Sequence, residues 1–193
     1  MNPNPAHPIR VMRIIARMNV GGPAVQVSGL MREFNSTEFD HRLYTGYCAD
    51  DEADYLDTIA TDINSNRILG FGRRVSLLGD LRAFFSLLRQ IRDFKPHVIH
   101  THTAKAGFLG RIASILSLQP AIRVHTYHGH LLNGYFGRFK RSLVVMAEKF
   151  LAVFTHQLLS TQLTSSLIAS LRARQHVQLS SFALTQVHSR VLA

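Results

Sequence analysis

The sequence has little cysteine and no long apolar run. Cys48 is the single cysteine among 193 residues, so no disulfide can form within the chain, which fits a reducing cytoplasm. No stretch approaches the ~20 apolar residues that a membrane-spanning helix needs, and no secretory signal is visible. Residues 1–8, "MNPNPAHP", are rich in proline and polar side chains and are predicted to be a disordered tail. A cytoplasmic protein is therefore expected.

Acidic residues are scarce, which makes the chain strongly basic. Asp and Glu number 12 against 22 Lys and Arg, so the net charge is +10 at pH 7. This balance favours an anionic partner, namely a nucleic acid, an anionic membrane surface or a phosphorylated ligand, with simple solubility as the alternative. The hydrophobic fraction of 46% and the charged fraction of 18% are those of a globular domain rather than a disordered chain.

The apolar patterns along the chain indicate alternating strands and helices. Strand patterns occur in "IRVMRIIARMNVGG", which ends in paired glycines, and in "HRLYTGYC", "HVIHTHT" and "IRVHTYHG". Helical patterns alternate with them in "PAVQVSGLMREF", "SLLGDLRAFFSLLRQIRDF", "AKAGFLGRIASILSL" and "GRFKRSLVVMAEKFLAVF". The clearest helix is predicted to bury one apolar stripe formed by Leu77, Leu81, Phe84, Leu88, Ile91 and Phe94. The alternation predicts an α/β fold with a parallel sheet and helices on both faces.

Three predicted strands end in sequences that suit a ligand site: "NVGG", "HTHTAKAG" and "HTYHGH". Because ligands of parallel sheets bind at the carboxyl ends of the strands, these loops are expected to meet at one edge. Gly21 and Gly22 lie between a strand and a helix, where glycine permits close approach and the helix N-terminus favours anions; a plain turn is an equal alternative. Neither GxGxxG nor GxxxxGK[ST] occurs, so a dinucleotide fingerprint or a P-loop is not supported.

The loop after "HVIH" carries both imidazole and cationic side chains. His100 and His102 share one face of the predicted strand, and Lys105 and Arg111 follow on the next helix. Small residues at the start of that helix allow either a ligand or the sheet itself to come close. A binding loop and a packing contact are therefore both open for this segment.

The histidines also raise the question of a metal site. His100, His102, His128 and His130 are four imidazoles that could bind zinc. No cysteine lies nearby, HExxH is absent, and no acidic residue occurs between positions 93 and 148 to complete a ligand set. The second pair is therefore interpreted as catalytic or ligand-binding groups in an exposed loop, and no metal is expected. The two remaining nearby histidines, His97 and His125, are interpreted as structural.

Four ordered segments carry a resemblance to a known family. "NVGGPAVQV", "KPHVIHTHTAKAGFLGR", "RVHTYHGHLLNGYF" and a helix with Glu148 resemble the N-terminal half of family-4 glycosyltransferases of the GT-B fold, from about residue 9 to about residue 159. The resemblance implies a Rossmann-like domain, one of two that enclose an active site in the cleft between them. It also implies retaining transfer of a sugar from a nucleotide-sugar donor to a polysaccharide or lipid-linked acceptor, with no metal or other cofactor.

The resemblance implies roles for individual residues. The glycine loop at Gly21 and Gly22 corresponds to the loop near the donor diphosphate, and His128 corresponds to the histidine that lines the sugar pocket and is the predicted catalytic residue. His102, Lys105 and His130 are further predicted substrate-binding residues. These assignments suit the chemistry, because helix N-termini and cations stabilise a diphosphate leaving group and a histidine can exchange a proton with a hydroxyl.

The sequence departs from the family near its end. The family has a second domain with the nucleotide pocket and a pair of glutamates, whereas after Glu148 this chain has no Asp or Glu and after Gly137 no Gly. Residues 155–193 lack the turn residues that a parallel sheet needs. The predicted organisation is a Rossmann-like domain over residues 9–160 and an atypical helical or irregular tail over 161–193. We expect a truncated chain that is inactive alone, with a genuine helical tail as the alternative.

Two other functions remain open, the first of them suggested by the basic charge. One is a nucleic-acid-binding module, although no DNA- or RNA-binding signature appears and no nucleic acid is expected. The other is one subunit of a split transferase whose donor domain is a separate chain. Separately, Arg138, Lys140 and Arg141 stand among apolar side chains in "GYFGRFKRSLVV", which suggests peripheral contact with the inner face of the cell membrane, with an ordinary solvated helix as the alternative.

Overall fold

The computed structural model describes residues 8–33, 38–128 and 138–160, with the backbone alone for 138–145. The chain begins as predicted, with strand, helix and strand in turn. The strands are β1 (Ile9–Ile15), β2 (Phe39–Thr45), β3 (Ser65–Arg67), β4 (Val98–His102), β5 (Ile122–Tyr127) and β6 (Gln157–Ser160). The helices are α1 (Gly22–Glu33), α2 (Tyr55–Thr58), α3 (Leu77–Phe94), α4 (Ala104–Leu116) and α5 (Arg138–Val153).

The described strands form one parallel sheet in the order β3-β2-β1-β4-β5-β6. From β1 the chain first adds β2 and β3 on one side. It then crosses to the other side of β1 and adds β4, β5 and β6. In the register, Ile15 lies beside His102, and His102 lies beside Thr126. The predicted Rossmann-like parallel sheet, similar to the N-terminal half of a GT-B fold, is confirmed.

Alternate residues of β1 reach two separate hydrophobic clusters. Ile14 packs on the face covered by α3 and α4, with Leu87 and Ala113 among its cluster. Ile15, the next residue, packs on the opposite face with Val27 of α1 and with residues of α2. Successive side chains of a strand point to opposite faces, so a strand buried on both sides reads as a continuous apolar run. The prediction of helices on both faces is confirmed.

The orientation of α3 corrects the predicted apolar stripe. Leu77 and Leu81 are 78% and 46% exposed, whereas Leu87 and Ile91 are fully buried. The first two turns of α3 carry apolar residues on more than one side, so periodicity alone does not choose the buried face. Ala83 faces the sheet because its small side chain lets the helix pack closely against it. The stripe prediction was wrong for the first two leucines and correct for Ile91 and Phe94.

The last described residues add a sixth strand to the sheet, inside the predicted domain of residues 9–160. Residues 157–160 form β6, which pairs in parallel with β5, and His156 N donates to the carbonyl of Arg123 at 2.9 Å. Leu158 and Leu159 stay partly exposed on this edge strand. The predicted tails at residues 1–8 and 161–193 lie outside the described residues, apart from residue 8.

Candidate functional site

Three loops follow adjacent strands of the sheet and meet at its carboxyl edge. Gly21 and Gly22 follow β1, Thr103 follows β4, and His128 follows β5. Since β4 lies between β1 and β5, the outer loops are separated by two strand spacings, or about 10 Å. The prediction that the glycine turn and both histidine loops share one edge is confirmed by the strand order.

The glycine turn leaves open space at the start of α1. A Cβ on Gly22 would meet nothing within 4 Å, and one on Gly21 would meet only the carbonyl of Asn19 and the ring of Pro23 at 3.9 Å. The preceding backbone is fixed, because Val20 N donates to the carbonyl of Ala53 at 3.0 Å. The turn therefore leaves room at the N-terminus of α1, where Pro23 has no N–H and Val25 N donates to the carbonyl of Gly21 at 3.2 Å.

Arg13 of β1 is a site residue that the sequence reasoning missed. Its side chain is buried, and its Nη1 donates to His100 Nδ1 at 2.8 Å and to His102 Nε2 at 2.9 Å. Its Nε donates to His41 Nε2 at 3.0 Å. The signal was a charged residue inside the otherwise apolar run "VMRII", in a strand predicted to be buried.

His100 and His102 of β4, together with His128 after β5, form a continuous polar chain that ends at the edge of the sheet. The rings of His100 and His102 stack with centroids 4.1 Å apart, which confirms that they share a face. His102 Nδ1 lies 2.9 Å from His128 Nε2, and His100 Nε2 lies 2.8 Å from Thr126 Oγ1. His102 is fully buried and His128 is half-buried, so the chain leads from the interior to the edge.

Burial disfavours the protonated form of the histidines in this chain, while Arg13 stays charged. Burial lowers the pKa of His102 well below its ordinary value, with His100 and Arg13 as additional causes. Burial likewise lowers the pKa of His128. It lowers the pKa of Arg13 to about 9, which still leaves the guanidinium charged at neutral pH. The site therefore combines one buried cation with neutral imidazoles.

This arrangement does not fit a metal ion. Arg13 already occupies the acceptor nitrogens of His100 and His102, and a guanidinium at this distance would repel a cation. No group of three or more His, Cys, Asp or Glu side chains that could hold a metal occurs in residues 8–33, 38–128 and the described part of 138–160.

Thr103 joins β4 to α4 in a strained conformation. Its φ of 65° and ψ of 162° lie in a region that residues with a side chain rarely adopt, which costs about 1–3 kcal/mol. Its hydroxyl oxygen is buried and has no hydrogen-bond partner in the described parts of the chain. Such strain persists where surrounding contacts enforce it, and here it places the start of α4 beside His102.

Lys105 points toward α3 rather than into open solvent. Its Nζ donates to the carbonyl of Arg74 at 2.6 Å and pairs with Asp80. The predicted substrate-binding lysine thus holds α3 against the first turn of α4. The predicted residue His130 lies outside the described residues.

A second polar group supports β5 and α5 from the other face. Arg111 is 1% exposed, and its Nη2 donates to Glu148 Oε2 at 2.6 Å. Tyr127 donates its hydroxyl to the same oxygen at 2.8 Å. This shared carboxylate ties α4, β5 and α5 together, so Arg111 and Glu148 serve the fold.

His97 and His125 have the structural positions that the sequence predicted. His125 is fully buried, with its Nδ1 2.9 Å from Thr101 Oγ1. His97 lies before β4, at the opposite edge of the sheet, where its Nδ1 accepts from Arg10 N at 3.1 Å.

Comparison with known proteins assigns the family. Residues 21–175 match the glycosyl transferase 4-like domain. The chain belongs to this family. The predicted resemblance to family-4 glycosyltransferases is therefore confirmed, and the match contains the glycine turn and both histidine loops.

Two curated glycosyltransferases are similar to this family member. The chain is 35% identical over 101 residues to the UDP-Gal:alpha-D-GlcNAc-diphosphoundecaprenol alpha-1,3-galactosyltransferase of Escherichia coli, covering 52% of this chain and 24% of that protein. It is 29% identical over 82 residues to the capsular polysaccharide biosynthesis glycosyltransferase CapM of Staphylococcus aureus, covering 42% of this chain and 21% of that protein. The matched part thus spans less than a quarter of either relative.

Solved structures share the fold of this glycosyl transferase 4-like domain. A UDP-N-acetylglucosamine 2-epimerase superposes with a TM-score of 0.58 at 18% identity, covering 79% of this chain and 42% of the other. MurG of Acinetobacter baumannii superposes with a TM-score of 0.52 at 13% identity, covering 79% and 41%. None of the helices among the described residues has the length and apolar character needed to cross a membrane.

Proposed function

We propose that this chain is the acceptor-side domain of a retaining glycosyltransferase that moves a sugar from a nucleotide-sugar donor to a polysaccharide or lipid-linked acceptor. The family match supports sugar transfer as the reaction. The acceptor class is supported by the two relatives, one named for a diphosphoundecaprenol-linked sugar and the other for capsular polysaccharide biosynthesis. The single observation that carries the proposal is the carboxyl edge where Gly22, His102 and His128 meet.

The geometry of that edge suits a sugar joined to a diphosphate. Open space at Gly22 gives a diphosphate access to the N-terminus of α1, where the helix dipole and backbone N–H groups favour an anion. His128, one β-strand beyond β4, can hydrogen-bond a sugar hydroxyl. The buried charge of Arg13 makes the nearby potential positive, which further favours an anionic ligand.

Calorimetric titration of the purified chain tests this assignment. We expect weak or no binding of nucleotide sugars and measurable binding of a detergent-solubilised, diphosphate-linked polyprenyl sugar. His128→Ala should weaken acceptor binding by about tenfold, the loss of about 1.4 kcal/mol that one hydrogen bond contributes. His97→Ala is the matched control, because His97 lies at the opposite edge of the sheet. Equal affinity of both variants and the wild type would show that His128 does not bind the acceptor.

We further propose that these 193 residues alone turn over sugar very slowly or not at all. The relatives they match are more than four times as long as the matched segment, and catalysis depends on groups held on both sides of a cleft. A donor-binding domain, in the same or a separate chain, would supply the remaining groups. A nucleotide-release assay checks this, and ordinary turnover by the purified chain would contradict it.

An exposed apolar surface beside the site supports contact with a membrane. Val75, just before α3, and Leu77, Leu78 and Phe85, in the first half of α3, are 88%, 78%, 82% and 61% exposed. The exposed cationic residues Arg73, Arg74 and Arg82 lie within and beside this segment. We name these seven residues the α3 patch. Apolar side chains interspersed with cations are typical of elements that lie on anionic lipid.

The α3 patch is close to the candidate site. Lys105, at the start of α4, contacts Arg74 and Asp80, and α4 follows directly from His102. A membrane touching this patch would lie next to the edge that receives the acceptor, which suits a lipid-linked substrate. The residues that the sequence suggested for membrane contact, Arg138 to Leu143, have no described side chains, so the proposal rests on α3.

Vesicle flotation tests the membrane proposal. The chain should float with vesicles that contain anionic lipid. With purely zwitterionic vesicles it should remain unbound at the bottom of the gradient. Leu78→Ser should reduce the vesicle partition coefficient by about tenfold or more, because burying one leucine contributes about 1.5–3 kcal/mol. Leu116→Ser, an exposed leucine at the far end of α4, is the matched control. Binding that is unaffected by Leu78→Ser would exclude the patch.

A further inference from the structure

We propose that Arg13 is a positioning residue, which through His102 holds His128 as a neutral imidazole that carries its proton on Nδ1 and therefore offers an N–H donor to the ligand. The assignment rests on the contacts of four side chains. That the ligand is a sugar or its diphosphate rests on the proposed function, whereas the state of His128 can be measured without any ligand.

The chemistry of arginine fixes the first step. A guanidinium carries five N–H donors, has no acceptor, and stays charged in proteins. The nitrogens that face Arg13 Nη1, namely His100 Nδ1 and His102 Nε2, must therefore accept hydrogen bonds. An imidazole that accepts at one nitrogen is neutral and carries its proton on the other. His102 is thus protonated on Nδ1, and His100 is protonated on Nε2.

The same argument assigns the protonated nitrogen of His128 at the edge of the sheet. His102 Nδ1–H faces His128 Nε2 at 2.9 Å, so His128 Nε2 accepts the hydrogen bond. His128 then carries its proton on Nδ1. A doubly protonated His128 would place two N–H groups against each other, so the contact opposes its protonation. His100 ends the other branch, because its Nε2–H donates to Thr126 Oγ1 at 2.8 Å.

The surroundings of Arg13 reinforce this ordering. In the described parts of the chain its side chain makes hydrogen bonds to three imidazoles, those of His41, His100 and His102, and it forms no ion pair with a carboxylate. A carboxylate would satisfy the guanidinium and free the imidazoles to change tautomer. With imidazole acceptors instead, the hydrogen bonds of Arg13 require that each imidazole keeps its proton on the nitrogen that faces away from the guanidinium. The chain of contacts is therefore polarised in one direction, from Arg13 toward His128.

The consequence for binding is a preference in ligand chemistry. His128 prepared in this way recognises an acceptor atom, such as a hydroxyl or phosphate oxygen, and does not serve as a general base. The sequence-based expectation that this histidine takes or gives a proton is thereby narrowed to hydrogen-bond donation.

Long-range 15N–1H NMR of the histidine side chains tests the inference directly. In wild-type protein near neutral pH, His128, assigned from the signals lost in His128→Gln, should show a protonated Nδ1 and an unprotonated Nε2. Arg13→Met keeps the apolar stem of the side chain but removes the donors, and it should convert a measurable share of His128 to the Nε2–H form. A protonated His128 Nε2 in the wild type would overturn the inference without any variant.

A matched control separates positioning from a general effect on the fold. Arg42→Met changes an arginine on the neighbouring strand that pairs with Asp40 and does not touch the histidine chain. It should leave the His128 signals unchanged, and His97 serves as an internal reference in every spectrum. If Arg13→Met leaves the wild-type tautomer of His128 in place, Arg13 is not the positioning residue. If the tautomer is as proposed but the acceptor fails to bind, the proposed function fails while this inference stands.

Discussion

Gly107 of α4 packs directly against the ring of His125, and replacing it with alanine is expected to destabilise the protein. A Cβ at this position would lie 2.4 Å from His125 Cε1 and 3.0 Å from both ring nitrogens. The ring has little freedom to move, because His125 is fully buried, bonds to Thr101, and meets the ring of Tyr127 edge-on with centroids 4.5 Å apart. The strain must therefore move α4 away from the sheet.

The magnitude follows from two opposing effects. Overpacking a close contact costs up to about 3 kcal/mol, while alanine favours a helix over glycine by about 1 kcal/mol. The net loss is about 2 kcal/mol, which lowers Tm by about 4–8 °C in a chain of this size. Urea unfolding followed by circular dichroism measures it.

Gly29→Ala provides the matched control for this prediction. Gly29 is exposed on α1, and a Cβ there would meet nothing within 4 Å. This variant should be more stable than the wild type by up to about 1 kcal/mol. If Gly107→Ala were stabilised to the same extent, the close packing of α4 on β5 would be refuted.

Three other outcomes follow from the buried polar groups. Glu148→Gln should lower the free energy of unfolding in urea by about 3 kcal/mol, because the buried Arg111 loses its counter-charge while an amide oxygen is left as acceptor. The control Lys149→Gln should change it by less than about 0.5 kcal/mol. Stability should also fall as the pH drops below 6.5. Burial lowers the pKa of His125 from 6.5 to about 4, so between these values the unfolded chain binds a proton that the folded chain does not, and this group alone contributes a loss of roughly 3 kcal/mol. The buried His100 and His102, whose pKa values are also lowered, add to the loss in the same direction. Finally, neither zinc chloride nor a chelator should shift Tm, because Arg13 occupies the acceptor nitrogens of His102 and its neighbour.

Each of these outcomes has a result that contradicts it. Wild-type stability of Glu148→Gln would mean that Arg111 does not depend on that carboxylate. An unfolding free energy that is flat from pH 6.5 to pH 4 would mean that His125 and the other buried histidines titrate alike in the folded and unfolded chain. A zinc-dependent rise in Tm would show that the imidazoles can release Arg13 and bind metal.

The fold and the edge that carries the site could be predicted from the sequence because their signals are local. A strand buried on both faces is a short run of apolar residues, and a glycine or histidine cluster after it marks the carboxyl end. Three such runs were sufficient to place Gly22, His102 and His128 at one edge, since parallel strands all point the same way. The identity of neighbouring strands did not need to be known for that inference.

Side-chain partners across the sheet could not be predicted in this way. Arg13 and His102 are 89 residues apart, and their contact depends on β1 and β4 being neighbours, which no local pattern encodes. The buried face of α3 was uncertain for a different reason, because apolar residues at Leu77, Leu78 and Phe85 do not fall on the side that the sheet covers.

The strand order also has a consequence for the sequence of events in folding. β1 can pair with β2 as soon as the first 45 residues are available, but its other neighbour, β4, ends at residue 102. Until β4 docks, the guanidinium of Arg13 is hydrated, since desolvating a cation without acceptors is too costly. Closure of the centre of the sheet and removal of water from this cation must therefore happen together, and both require contact between residues 89 positions apart in the chain.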